Sequence, residues 1–347
     1  MKEIGPEHNM SYRKEVLQQL FGYIQSADSF FVIGGASVGK TRLMDHIFRE
    51  EVQVHYLGNQ AKTTWLIRVD LNRHDNKEDW NFYELFLSSM TLSSVRYDNS
   101  LEITKELAGL ESQVLESKDF LRSLRLFEFA VNNLCHYHKF NLCFLLDEFD
   151  DMYRDLKREI FAQLRAIRDA NKNQVCYGLF LRDLPERLRK EPDNESFYEL
   201  LSPRMIGLGP YNPDDAIQVL HQLETRRNFQ LTPKWRDAFV TASGGHPGLL
   251  SALLSLQKSL AEKNERMGNR NQNWLANQET IKDECEKLWN SLAEDEKTGL
   301  RTALQGRVNE IPQQAFKLIT AKGLLQKNGT EYKIFSPIFE IYLQKMP

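Results

Sequence analysis

The chain has 347 residues, more than one compact core of ordinary size holds and enough for two or three modules. Hydrophobic residues make up 41% and charged residues 27%, the balance of a soluble globular protein. The formal net charge of −3 leaves no whole-molecule field toward nucleic acid or lipid, although a local basic patch would suffice for either.

No apolar run approaches the roughly 20 residues that cross a bilayer. Residues 1–9 are polar and mixed in charge, unlike a secretory leader. Cys135, Cys143, Cys176 and Cys285 form neither a CxxC pair nor a zinc spacing with histidine. Cys143 and Cys176 sit inside apolar runs and read as reduced core residues, which suits a cytoplasmic setting.

In chain order, Val16, Leu17, Leu20, Phe21 and Ile24 give segment 11–25 a helical period. Phe30, Phe31, Val32 and Ile33 form the short continuous apolar run of a buried parallel strand. A second helical pattern (Leu43, Met44, Ile47, Phe48) opens after Lys40 and Thr41, so strand, glycine-rich turn and helix follow without a gap. Residues 65–71 predict the next strand, and 82–94 and 120–137 predict helices, with a polar, weakly patterned segment near 97–118 between them. The most apolar strand, 142–146, runs directly into Asp147, Glu148, Phe149, Asp150 and Asp151. A helix over 156–170, a strand over 175–181 ending at Arg182, and a short apolar stretch 205–208 closed by Gly209 and Pro210 complete the pattern. Strands alternating with helices predict an α/β fold with a parallel sheet covered on both faces.

From Tyr211 the character changes. Helices are expected over 213–226 and 233–262, the second broken at Gly244, Gly245, His246, Pro247 and Gly248, and an Asn/Gln-rich stretch over 264–279 reads as a linker. Helices over 286–292, 294–304 and 312–322 precede two strand-like runs around Asn328-Gly329, a hairpin signal, and a last helix capped by Ser336 with Pro337 in its first turn. That is the order of a winged helix. The expected division is an ATPase core over 1–210, a helical lid and linker over 211–285, and a winged helix over 286–347.

Gly34, Gly35, Ala36, Ser37, Val38, Gly39, Lys40 and Thr41 satisfy the P-loop pattern G-x-x-x-x-G-K-[ST] at every required position. The glycines let successive backbone N–H groups turn inward around a phosphate, and the following helix points its positive end at the same group. Lys40 supplies a charge to the β- and γ-phosphates, and the Thr41 hydroxyl is a ligand for Mg²⁺. Arg42, next in the helix, is counted among the nucleotide-binding residues. Asp147, at the end of an apolar strand, is the expected Mg²⁺ carboxylate, and Glu148 the general base that polarises the attacking water. Asp150 and Asp151 read as ordinary acids at a helix start. Arg182, at the next strand end, could sense the γ-phosphate, and Arg204 is where an arginine finger for a neighbouring subunit could sit.

Taken together these segments resemble the STAND class of P-loop ATPases, close to the Orc/Cdc6-like branch of the AAA+ relatives. The resemblance rests on residues 34–41, 142–150, Arg182, 208–216, 243–250 and 324–343. It implies that Pro247, with His246 beside it, packs near the adenine base, with Pro210 a second candidate for the same pocket. It also implies ATP and ADP as ligands and a switch between an ADP-bound closed form held by the winged helix and an ATP-bound form that assembles with copies of itself. Any effector or sensor would be another polypeptide.

The leading reading is therefore an ATP-dependent, slowly hydrolysing switch for signalling or assembly, in a setting such as a prokaryotic defence or conflict system. The alternative is a DNA-binding ATPase of initiator or transposition-regulator type. Against it, helix 312–322 offers only Lys317 and Lys322 to a major groove, and residues 287–347 carry nine Lys/Arg against six Asp/Glu, a mild surplus without a basic stripe. A module that binds nucleotide without hydrolysing it is a third reading, opposed by the presence of Glu148.

Overall fold

The computed structural model describes residues 8–71, 78–97, 101–189, 195–262 and 271–346. The chain folds as two compact units, one formed by Leu17–Val32 with Ile47–Ile206, the other by Ile33–His46 with the segments before Leu17 and after Ile206. Residues 34–41 thus group with the C-terminal part of the chain, whereas the sequence division grouped them with everything before residue 211.

The first of these units is built on a five-stranded sheet. Its chain runs α1 (Lys14–Gln25), whose buried stripe is Leu17, Leu20, Phe21 and Ile24, then β1 (Phe30–Ile33). After α2 (Lys40–Ile47) come α3 (Glu50–Leu57), β2 (Thr64–Asp70), α4 (Asp79–Tyr97), α5 (Glu102–Ser117) and α6 (Phe120–Asn132). Next are β3 (Asn141–Asp147), α7 (Asp150–Asp155), α8 (Arg158–Ala170), β4 (Val175–Leu181), α9 (Pro185–Leu188), α10 (Glu195–Leu201) and β5 (Met205–Gly207). The strand order is β2-β3-β4-β1-β5, with β2, β3 and β4 paired in parallel. Strands buried along their whole length, such as Val175–Leu181, explain the unbroken apolar runs in the sequence. Cys143 and Cys176 are register partners on β3 and β4, and all four cysteines are buried free thiols.

The segment near 97–118 is a helix over most of its length. Ile103, Leu107, Leu110 and Val114 form its buried stripe, and the charged residues between them face outward, which diluted the apolar signal. The expected helix over 120–137 is α-helical to Asn132 and continues as one π-helical turn, Asn133–Tyr137.

The second unit continues from the cradle into α11 (Pro213–Arg226), α12 (Pro233–Ser243) and α13 (Pro247–Glu262), helices where the sequence pattern places them. Of the stretch read as a linker, residues 264–270 lie outside the described residues; the remainder contains α14 (Gln272–Ala276), capped by the Asn271 side chain. The helix expected from 286 begins earlier: α15 (Glu279–Asn290) buries Ile281, Cys285, Leu288 and Trp289 on one face. Next come α16 (Glu294–Leu304), α17 (Gln313–Ala321), the antiparallel hairpin β6 (Leu325–Asn328) and β7 (Glu331–Ile334), and α18 (Pro337–Gln344), which Ser336 caps by accepting from Phe339 N–H.

Two close backbone contacts fix Gly323 and Phe335, at the two ends of the hairpin, within this unit. A Cβ at Gly244, where φ is +57°, would come within 1.9 Å of the Phe335 carbonyl oxygen, and one at Gly209 would meet Gly323 Cα at 3.0 Å. A buried ion pair crosses α16 and the end of α17: Lys322 Nζ lies 2.7 Å from Glu296 Oε1, with both side chains 0% exposed. Among the described residues, no helix is long and apolar enough to cross a membrane.

Candidate nucleotide-binding site

The cradle leaves β1 at Gly34, where a Cβ would crowd Val38 Cγ1 at 2.8 Å and the Leu208 carbonyl oxygen at 3.0 Å. At Gly39, φ is +94° and a Cβ would meet the Tyr211 hydroxyl at 2.9 Å, so both conformation and space demand glycine. Ser37 takes a positive φ of +54°. The loop ends where α2 begins at Lys40, whose ammonium donates to the Gly34 and Gly35 carbonyls at 2.7 and 3.2 Å. Thr41 is exposed, Arg42 half-buried and Val38 buried.

Arg13 ties this loop to the linker that follows β5. Its guanidinium donates to Val38 O at 2.7 Å and Gly209 O at 2.9 Å and lies 4.4 Å from the centre of the Tyr211 ring. Its own N–H donates to Asp215 Oδ2 at 2.9 Å. No spacing in the sequence marks Arg13, because a residue contacting three distant segments through its backbone and side chain leaves no periodic trace. Pro210 packs against Gly323, and its neighbour Tyr211 is the residue that reaches Gly39.

His246 and Pro247 do come to the cradle. Pro247 Cγ stands 3.7 Å from a Cβ built on Gly39. His246 Nε2 is 3.2 Å from Ala36 O, and its Nδ1 accepts from Leu249 N–H at 3.4 Å, a pairing that suits the neutral ring with its proton on Nε2. Burial drives the His246 pKa down from 6.5 to about 4, with the charges of Arg13 and Lys287 acting the same way and the Ala36 hydrogen bond opposing them. The unfolded chain therefore binds a proton on acidification before the folded chain does, and stability falls as the pH drops from 6.5 toward about 4. Urea midpoints should show a loss on the order of 2 kcal/mol between about pH 7 and pH 5 from this group. His246→Gln should flatten that part of the profile, and an equal slope in both proteins would deny the role.

α15 and the residue after it also reach the cradle. The Ala36 N–H donates to Ser291 Oγ at 3.2 Å, so one amide of the loop is held by the hydroxyl that follows α15. A Cβ at Gly35 would touch Leu288 Cδ1 at 3.1 Å. At Gly248 a Cβ would fall 1.9 Å from Glu284 Oε1 and 2.9 Å from Ser37 Cβ, which puts that carboxylate beside the loop. The sequence signal for this face was the period of α15 itself; Leu288 belongs to its buried stripe.

In the sheet unit, Asp147 ends β3 with its side chain 9% exposed, and its Oδ2 accepts from Arg68 Nη2 at 2.8 Å. Glu148, at φ +51°, turns sharply out of the strand and stays 44% exposed, 3.8 Å from Arg182. Asp150 has a more specific place than an acid at a helix start: its Oδ1 accepts from the backbone N–H groups of Arg182, at 2.8 Å, and Asp183, at 3.3 Å. It thereby holds the ends of β3 and β4 together. Arg204 pairs with Asp28 at 2.7 Å and also donates to Leu200 O.

No protein-family model matches the sequence, and no curated protein does. Solved structures do match over nearly the whole chain. The ADP form of the Aeropyrum pernix ORC2 protein is 14% identical, covers 99% of this chain and 96% of its own, and superposes with a TM-score of 0.56. The Walker-type ATPase PABY2304 of Pyrococcus abyssi is 15% identical over 96% of this chain and 95% of its own, with a TM-score of 0.52. The chain shares their fold. A STAND protein with a tetratricopeptide-repeat sensor from Pyrococcus horikoshii also aligns, at 15% identity and a TM-score of 0.36, over 98% of this chain and 44% of that one. The Walker-type and Orc/Cdc6-like architecture expected from the sequence is the architecture found.

Proposed function

We propose that this chain is an ATP-binding and slowly hydrolysing switch whose phosphate cradle is covered, in the form described, by the first helix of its own winged helix. The observation that carries the reading is the pair of contacts from Leu288 to Gly35 and from Ser291 to Ala36, with Glu284 packed against Gly248 beside them. A loop built to offer amides to phosphate has one of them engaged by Ser291, so phosphate and α15 compete for that group.

On this reading residues 34–41 bind the phosphates, with Lys40 swinging from the Gly34 and Gly35 carbonyls to a phosphate oxygen. His246 and Pro247 anchor the lid to the cradle. Thr41 and Asp147 each offer a hard oxygen, the donor type that suits Mg²⁺. Mg²⁺, when bound, would offset phosphate charge. Glu148 orients and deprotonates water, and Arg182, beside it, senses the γ-phosphate. A role for Arg204 in a neighbouring subunit's site would first require its pair with Asp28 to open. The partners on this reading are further copies of the chain and a separate effector or sensor protein.

DNA is the second reading, and the winged helix now supports it less. Lys322, one of two lysines on the helix that would enter a groove, is buried against Glu296, leaving Lys317 there and Lys327 and Lys333 exposed on the hairpin. Steeply salt-dependent DNA binding would restore it.

Stopped-flow binding of a fluorescent ATP analogue tests the cover. Leu288→Ala combined with Ser291→Ala removes one apolar contact and one hydrogen bond, and association should quicken by about tenfold. Equal rates in both proteins would remove α15 from control of the site.

A further inference from the structure

Arg68 is a charged residue inside a strand that otherwise buries Trp65, Leu66, Ile67 and Val69. Nothing in the nucleotide-binding pattern calls for it. In the parallel register of β2 and β3, Arg68 is level with Leu145, and Asp70 with Asp147. Because side chains alternate along a strand, Arg68, Asp70 and Asp147 project from the same face, with Arg68 diagonal to Asp147. The guanidinium crosses that diagonal, Nη2 to Oδ2 at 2.8 Å. Its side chain is 34% exposed while that of Asp147 is 9% exposed. The cation therefore reaches from partly wet surroundings onto a carboxylate that is nearly dry.

We propose that Arg68 is a positioning residue that holds the Asp147 carboxylate and sets the divalent-cation concentration at which that carboxylate takes up metal. This rests on the assignment of Asp147 to Mg²⁺ made above. The physical reason is twofold. One carboxylate oxygen already accepts a charge-assisted hydrogen bond, which fixes the rotamer of the group. The same unit positive charge opposes the arrival of a dication at its neighbour, so metal must share the carboxylate with the arginine or displace it. An arginine retained only to neutralise a nearly buried acid would influence stability but leave no signature in metal affinity.

The test is a titration of Mn²⁺, read by its paramagnetic resonance signal, into the full chain with ADP present, beside ADP binding measured in chelator without metal. Arg68→Gln keeps a donor for Asp147 and removes the charge. The half-saturating Mn²⁺ concentration should fall by about five- to tenfold, the size expected for one unit charge about 6–9 Å from a dication in a water-like dielectric. Arg68→Lys, which keeps the charge, should stay within about twofold of the parent. ADP affinity in chelator should be the same in all three. Arg68→Ala should shift Mn²⁺ at least as far as the Gln variant, and it stands in if that variant does not fold. An unchanged or raised half-saturation in the neutral variants, with ADP still bound, would overturn the role of Arg68 alone. Failure of the parent to bind ADP in chelator or with metal would overturn the nucleotide reading and this inference with it.

Discussion

Glu148→Gln should cut ATP hydrolysis by about 10²–10⁴-fold, the range for loss of a positioned general base, while ATP still binds. The residue sits one position beyond a strand buried to its last member, at a positive φ that carries its side chain away from the strand direction and leaves it 44% exposed. Glutamine preserves the length and one oxygen acceptor but cannot take a proton from water. Phosphate release and binding of a fluorescent ATP analogue, measured on the same preparation, separate the two effects. Hydrolysis at the parent rate would take the catalytic role from Glu148. Because the ATP state should now persist, the mass of this variant in solution also tests assembly: a larger species with ATP·Mg²⁺ than with ADP·Mg²⁺ is expected. A monomer in both nucleotides would exclude assembly by the chain alone.

The largest expected effect on stability concerns the buried ion pair of Lys322 and Glu296. Lys322→Ala should destabilise the unit that holds it by about 3–5 kcal/mol, the usual result of stranding one member of a buried ion pair. The cost comes from Glu296, which loses contacts at 2.7 and 2.9 Å while remaining out of water. Replacing both partners, Lys322→Met with Glu296→Leu, should recover most of the loss. It should not recover all, because Glu296 also accepts from the Ala293 N–H at the start of α16 and so acts as a helix cap. Urea denaturation followed by tryptophan fluorescence distinguishes the cases, since Trp289 packs in this unit. A single substitution costing no more than an exposed lysine would show that the pair is dispensable.

How much was legible in the sequence depends on whether a feature is local. The β1–cradle–α2 succession, the strand ending at Asp147 and the hairpin at Asn328-Gly329 are set by residues adjacent in the chain, and their positions were read to within a residue or two. The helix Glu102–Ser117 was passed over because its burial is one-sided, and the start of α15 because polar residues outnumber its four buried anchors. At the candidate site, the glycines of residues 34–39 were readable because the loop's tight neighbours and the positive φ at Gly39 fix residue type. Arg13, Arg68 and Asp150 were not, since each acts across a fold-dependent distance: the loop and linker for Arg13, a neighbouring strand for Arg68, and the β4 end for Asp150. Lys322 shows the same limit in reverse, because its sequence position suggested solvent and its partner lies 26 residues away on another helix.

The contact between Ser291 and the Ala36 amide bears on how ligand screens of this protein should be read. If nucleotide enters only after α15 lifts, a titration reports the intrinsic dissociation constant divided by the fraction of molecules that are open. A cradle open one time in a hundred would look about a hundredfold weaker than it is. Feeble binding by the isolated chain would then measure how tightly its own helix is seated, and the partner that loosens that helix would reveal itself as whatever moves the same titration to lower nucleotide concentration.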